Sequence, residues 1–164
     1  MIDLERMTTQ YVADEDRILI SASTAKGGTV RLWLTHRIVG RLVPALAKLV
    51  QPRHQDPVYC KVMDEIAQQN AEQRQEPQEP VIAASPGHEW LVRKINIQKG
   101  ERGVALVFVG PDGERARISF SGELLRQWLG IVRRVCRTAD WTDADRSDRM
   151  PETPAAGKHP TVLH

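Results

Sequence analysis

The side chains best suited to metal binding or nucleophilic work here are five histidines and two cysteines. His36, His54, His88, His159 and His164 offer no pair at i, i+4 or at another zinc-ligand spacing. Cys60 and Cys136 each fall on the apolar side of an expected helix, where a thiol behaves as a small buried hydrophobe. Two such residues make no disulfide framework, and a reducing, cytoplasmic setting is expected. Gly27-Gly28 stands between two strand patterns, so it reads as a hairpin turn and not as a phosphate cradle before a helix. The acids Asp14, Glu15 and Asp16 read as a solvated turn. No catalytic residue, metal ligand or cofactor-binding residue is expected, and an enzyme is the least favoured class.

One constellation points to binding. Arg31 and Trp33 alternate with Val30, Leu32 and Leu34, so they project from the opposite face of one strand. Arg117 has the matching place in a second strand. In the run Glu89 to Gln98, Trp90, Lys94 and Asn96 share one parity. Rings that stack on bases and cations that track phosphates are the tools of single-stranded nucleic-acid binding. The candidate nucleic-acid contacts are therefore Arg31, Trp33, Trp90, Lys94 and Arg117. Net charge weighs against them: +2 is a small footprint for a polyanion partner. The charge is uneven. Residues 88–141 hold ten Lys/Arg against six Asp/Glu, and residues 51–87 three against six, so the second half is the basic part.

The elements that position these groups are legible. Asp16 to Ser23 reads as a strand, Lys26-Gly27-Gly28 as a turn and Thr29 to Leu34 as a second strand. A third strand is a candidate at Gln10 to Val12, and residues 1–9 are expected to be loose. Thr35 then caps a helix whose stripe is Ile38, Val39, Leu42, Val43, Leu46, Leu49 and Val50. Pro44 should kink or divide that helix. Asp56-Pro57 starts a helix to about Gln68, and its stripe of Val58, Tyr59, Val62, Met63 and Ile66 is expected to pack on something. Residues 69–87 read as a flexible polar linker. A strand at Glu89 to Gln98, an apolar central strand at Val104 to Val109 and a strand over Arg115 to Ser121 follow. Ser121 caps a helix with Leu124, Leu125, Trp128, Leu129, Val132, Val135 and Cys136 on one stripe. Residues 142–164 read as a disordered tail.

Residue n matches residue n+86. Val30, Leu32 and Leu34 meet Ala116, Ile118 and Phe120; Thr35 meets Ser121; Leu42 meets Trp128; Gly27 meets Gly113. Two copies of antiparallel sheet followed by an amphipathic helix, in residues 10–52 and 88–141, imply one α+β domain over 10–141. Each half is too small to bury its own apolar face alone. The segments VRLWLTHRIVGRLVPALAKLV and ARISFSGELLRQWLGIVRRV share a pattern of strand, hydroxyl cap and amphipathic helix. In this architecture the chain resembles the Whirly and Pur-alpha type of nucleic-acid-binding domains. That resemblance implies a curved antiparallel sheet and one helix per unit, with two units packed together.

The longest apolar stretch, Ile38 to Val50, is broken by Gly40, Arg41, Pro44 and Lys48, and is shorter than the ~20 residues a membrane span needs. The N-terminal ten residues carry acids and no apolar run, unlike a signal peptide. The reading is a non-enzymatic binding or accessory protein whose partner is another protein or a second copy, joined through an exposed strand edge. The alternative is a single-stranded nucleic-acid-binding protein.

Overall fold

The computed structural model describes residues 1–141, so the expected tail at 142–164 lies outside the described residues. The first half is a three-stranded meander followed by a helix. β1 (Ile2–Val12) and β2 (Arg17–Thr24) are joined through a one-turn 3-10 helix, Ala13–Glu15, and β3 (Thr29–Leu34) follows a turn at Gly27. Residues 1–9 are not loose: β1 begins at Ile2 and pairs with β2 from Leu4 onward, with a bulge between Leu4 and Arg6. Buried Leu4 and half-buried Ile2 and Met7 supply the apolar anchors in a largely polar stretch.

α1 (His36–Val50) then runs unbroken through Pro44. Proline's ring collides with the carbonyl four residues earlier and its missing N–H forfeits one bond. Here that earlier residue is Gly40, and the helix continues across the site instead of dividing. Thr35 caps it as expected, its hydroxyl accepting from the Ile38 N–H.

α2 (Pro57–Gln73) is a full turn longer than the apolar stripe suggested. Asp56 accepts from the N–H groups of Val58 and Tyr59, and Pro57 takes the first-turn place where no N–H is missed. The segment 74–87 is fastened rather than free. The Val81 N–H donates to Thr8 Oγ1 at 2.8 Å, the Gly87 N–H donates to the Thr29 carbonyl at 2.9 Å, and Ala83 is buried.

The second half has four strands followed by a helix. The expected single strand over 89–98 is two strands, β4 (His88–Leu91) and β5 (Lys94–Gly100). Val92 donates to the Trp33 carbonyl and Arg93 to the Val109 carbonyl, so two adjacent residues reach opposite ends of the sheet. β6 (Gly103–Val109), β7 (Arg115–Phe120) and α3 (Gly122–Thr138) follow, with Ser121 capping α3 through the Leu124 N–H.

The strand order is β4-β3-β2-β1-β7-β6-β5 in one curled seven-stranded sheet. Most ladders are antiparallel, but two are parallel: β1 with β7 and β3 with β4. Both parallel ladders join the two halves, while every ladder within a half is antiparallel, as expected. β3 and β4 are linked through α1, α2 and residues 74–87, a connection long enough to bring the chain back in the same direction.

Some paired positions in the two halves lie 86 residues apart. Ile20 faces Leu32 in the first half and Leu106 faces Ile118 in the second. The parallel junctions are also counterparts: Ile2 faces Ala116, and Val30 faces His88. The match slips by two residues in the first hairpins, where Thr9 faces Ile20 but Ile95 faces Phe108. The connections explain it, since residues 13–16 join one pair of strands and only 101–102 join the other.

Both halves contribute to one core. Ile18, Ile20, Val30, Leu32, Leu34 and Trp90 pack in the same cluster as Leu106, Phe108, Ala116, Ile118 and Phe120. α1 adds Val39, Leu42, Val43 and Leu46; α3 adds Leu125, Trp128, Leu129 and Val132. Each fully buried Leu, Ile or Val contributes about 1.5–3 kcal/mol. Trp128 joins the layers directly: its ring stacks on Phe120 at 5.4 Å, and its N–H donates to Thr9 Oγ1 at 3.1 Å.

Candidate protein-interaction surface

α2 carries the largest departure from the sequence pattern. Val58, Val62 and Ile66 form one i, i+4 row, and Tyr59 and Met63 the next row beside it. Such a stripe ordinarily faces a core. Here it faces solvent: Val58 is 71% exposed, Tyr59 48%, Val62 47%, Ile66 45% and Met63 37%. The expectation that this stripe packs inside the molecule is therefore corrected.

The opposite side of α2 does the packing, through small and polar residues. Asp64 accepts a charge-assisted bond from Arg126 at 2.8 Å, with both side chains largely shielded from water. The same guanidinium donates to the Val50 carbonyl near the end of α1. Gln68 donates to the Arg126 carbonyl at 2.9 Å and to Glu72 Oε1 at 2.8 Å. Ala71 is buried. Gly130 of α3 makes room for this contact, since a Cβ there would sit 2.5 Å from Glu72 Oε1 and 3.1 Å from Gln68 Nε2. Arg126 thus ties α1, α2 and α3 together and fixes which face of α2 looks outward. Cys60 is half-buried, with its thiol donating to the Pro52 carbonyl at 3.4 Å, so it lies beside the anchoring side and not in the apolar stripe.

The sheet-face candidates are placed differently from one another. Arg31 and Trp33 share the strand face opposite the core, and both are half-buried. Both address one carboxylate: the Trp33 N–H donates to Glu89 Oε1 at 2.7 Å, and Arg31 lies 3.8 Å from the same oxygen. Arg117 is held by Asp3 at 2.8 Å. Lys94 is exposed on β5, far along the sheet order from β3. Trp90 is a correction. The chain breaks at Val92–Arg93, the shared parity with Lys94 is lost, and Trp90 turns into the core at 5% exposure. The fold therefore joins Arg31, Trp33 and Glu89 in one cluster and leaves Arg117, Lys94 and Trp90 outside it. Glu89 and Asp3 are the partners that sequence reading missed. The parallel registers Arg31↔Glu89 and Asp3↔Arg117 set them opposite the cations, and no short-range pattern announces a parallel register.

A third cluster ties Trp141, just past α3, to the β1–β2 connection and the start of α1. Tyr11 donates to Asp16 Oδ1 at 2.8 Å, and the Trp141 N–H reaches the same oxygen at 3.3 Å. His36 stacks on Trp141 at 4.7 Å and Tyr11 meets that ring edge-on at 5.7 Å. The hydrogen bond to Asp16 raises the Tyr11 phenol above its ordinary value of 10, with desolvation and the carboxylate's charge acting in the same direction.

No group of three or more His, Cys, Asp or Glu side chains with metal-binding geometry occurs among the described residues. Among them, too, no helix is long and apolar enough to cross a membrane. Comparison with protein-family models, with curated proteins and with solved structures finds no match.

Proposed function

We propose that this chain is a non-enzymatic interaction module that docks another protein chain on the exposed face of α2. The carrying observation is the inverted helix: its apolar stripe is left in water while its polar side is bonded to α3. Apolar side chains gathered into one exposed row mark an interaction site, whereas single scattered ones do not. Helix-in-face recognition uses rows of this spacing. The single-stranded nucleic-acid reading has less support, because Trp90 is in the core and acids already engage Arg31, Trp33 and Arg117.

The test is site-specific photo-cross-linking. A benzophenone side chain replaces Tyr59 in one preparation and Arg31 in another, and each is irradiated alone and in an extract of the native host. Protein adducts are expected from position 59 and not from position 31. Absence of any protein adduct at 59 overturns the reading. So does salt-sensitive binding of a fluorescent single-stranded oligonucleotide at 50 mM salt that R31A abolishes.

A further inference from the structure

We propose that the outward face of α1, with the adjoining end of α3, binds the phosphate backbone of a nucleic-acid duplex without reading its sequence. The proposal is independent of the α2 reading and of the sheet-face residues. It is carried by the separation of charge. Residues 36–55 and 124–139 hold eight of the chain's 23 Lys/Arg and none of its 21 Asp/Glu. A net charge of +2 therefore conceals a basic pair of helices. On α1 the cations are aligned. With about 100° of turn per residue, Arg37, Arg41 and Lys48 fall within about 40° of one another, and all three are exposed. They lie opposite the buried stripe of Val39, Leu42, Val43 and Leu46. The row is ~16 Å long, a length over which one strand of a duplex presents about five phosphates.

α3 extends this face. The two helices run antiparallel: Arg126, near the start of α3, donates to the Val50 carbonyl at the end of α1, and Trp141, just past α3, stacks on His36 at the start of α1. Exposed Arg137 thereby lies at the same end of the pair as Arg37. Arg37, Arg41, Lys48 and Arg137 make no ion pair among the described residues. Of the acids at that end, Asp16 accepts from Tyr11 and Trp141, and Asp140 is exposed beyond α3. Three of the four cations are guanidinium forks, which grip phosphate oxygens in pairs. Between Arg41 and Lys48 the row holds half-buried Pro44 and Ala45, so no large apolar side chain is offered to a membrane. His36 and Trp141 are stacked on each other and Trp141 is buried, so the face lacks the open rings on which single strands stack. α1 has no Asn, Gln, Ser or Thr to add contacts with base edges. Fixed cations along a rigid helix suit the regular backbone of a duplex.

The experiment is fluorescence anisotropy of a labelled DNA duplex of ~20 base pairs, titrated with the purified full chain at several salt concentrations. Binding is expected at 50 mM salt, equal for two duplexes of unrelated sequence. Four phosphate contacts should weaken it about a hundredfold by 200 mM. R37E/R41E/K48E, all at exposed positions, should abolish binding while leaving the far-UV circular dichroism unchanged. R137A should lower the slope of log affinity against log salt by about one. R31A, on the sheet, should change nothing. No duplex binding at 50 mM salt overturns the inference, as does binding indifferent to the triple reversal, or binding that R31A removes. Polyglutamate competing as well as unlabelled duplex at equal charge overturns it too, because the face would then answer to charge and not to phosphate. A chain that binds vesicles of anionic lipid through these residues, but not the duplex, rejects the nucleic acid and assigns the face to a membrane.

Discussion

At the scale of single residues, two positions combine a local demand with a long-range one. Gly103 has φ +155, and a Cβ there would come within 2.0 Å of the Phe120 carbonyl oxygen. That obstacle is backbone, so it cannot move aside as a side chain would. G103A is expected to destabilise the fold by about 3 kcal/mol or more, read as a lowered urea midpoint; an unchanged midpoint would contradict the close approach of β6 to the end of β7. Tyr11 is the second. Its phenol pKa is raised by the bond to Asp16. A group whose folded pKa lies above its unfolded value contributes stability that is complete below the unfolded value, near pH 10, and lost as pH rises through the folded value. The chain has two tyrosines. Absorbance at 295 nm should show the Tyr11 step above pH 10, and D16N should bring it down. If D16N leaves the Tyr11 step where it was, the bond does not govern that phenol.

At the scale of elements, the helices owe their boundaries to local chemistry and their orientation to tertiary bonds. Thr35 and Ser121 occupy equivalent caps, each accepting from the N–H three residues on. T35A and S121A should each cost about 1 kcal/mol, and their sum should be near additive because the sites are not in contact. Unequal or negligible losses in thermal melts would mean the caps are not equivalent. α2 is oriented by Arg126. R126A leaves Asp64 and the Val50 carbonyl without their shared donor, a loss of about 2–3 kcal/mol. Faster amide exchange should then appear along α2 before it appears in β2 or β6. Uniform exchange across the molecule would show that α2 is held by something else.

At the scale of the whole molecule, the curl of the sheet decides what is inside. β4 and β5 are neighbours in sequence but the two ends of the strand order. Each half lends the start of its first strand to the last strand of the other: Ile2 lies against Ala116, and His88 lies against Val30. Neither half can therefore bury its apolar face separately, and one core holds residues from both. Unfolding should be a single transition, with Trp33 and Trp128 reporting the same midpoint from opposite halves; two resolved midpoints would show that the halves separate.

What the sequence by itself determined was local. Alternation placed Val30, Leu32 and Leu34 on one side of a strand, small hydroxyls and Asp56 marked the helix starts, and the glycines at 27 and 113 marked turns, where φ is +84 and +83. Each of these rests on neighbours within a turn or a pleat. The α+β class and one globular domain followed from the same patterns. What only the tertiary structure decided were the contacts between distant residues. The break at Val92–Arg93 turned Trp90 inward. The parallel registers set Glu89 beside Arg31 and Trp33, and Asp3 beside Arg117. Above all, the apolar stripe of α2 was plain in the sequence, but its direction was not. An amphipathic pattern says that two faces differ, and it is the neighbour that chooses between them. Here Arg126 and the space above Gly130 bind the polar face, and the apolar one is left facing solvent.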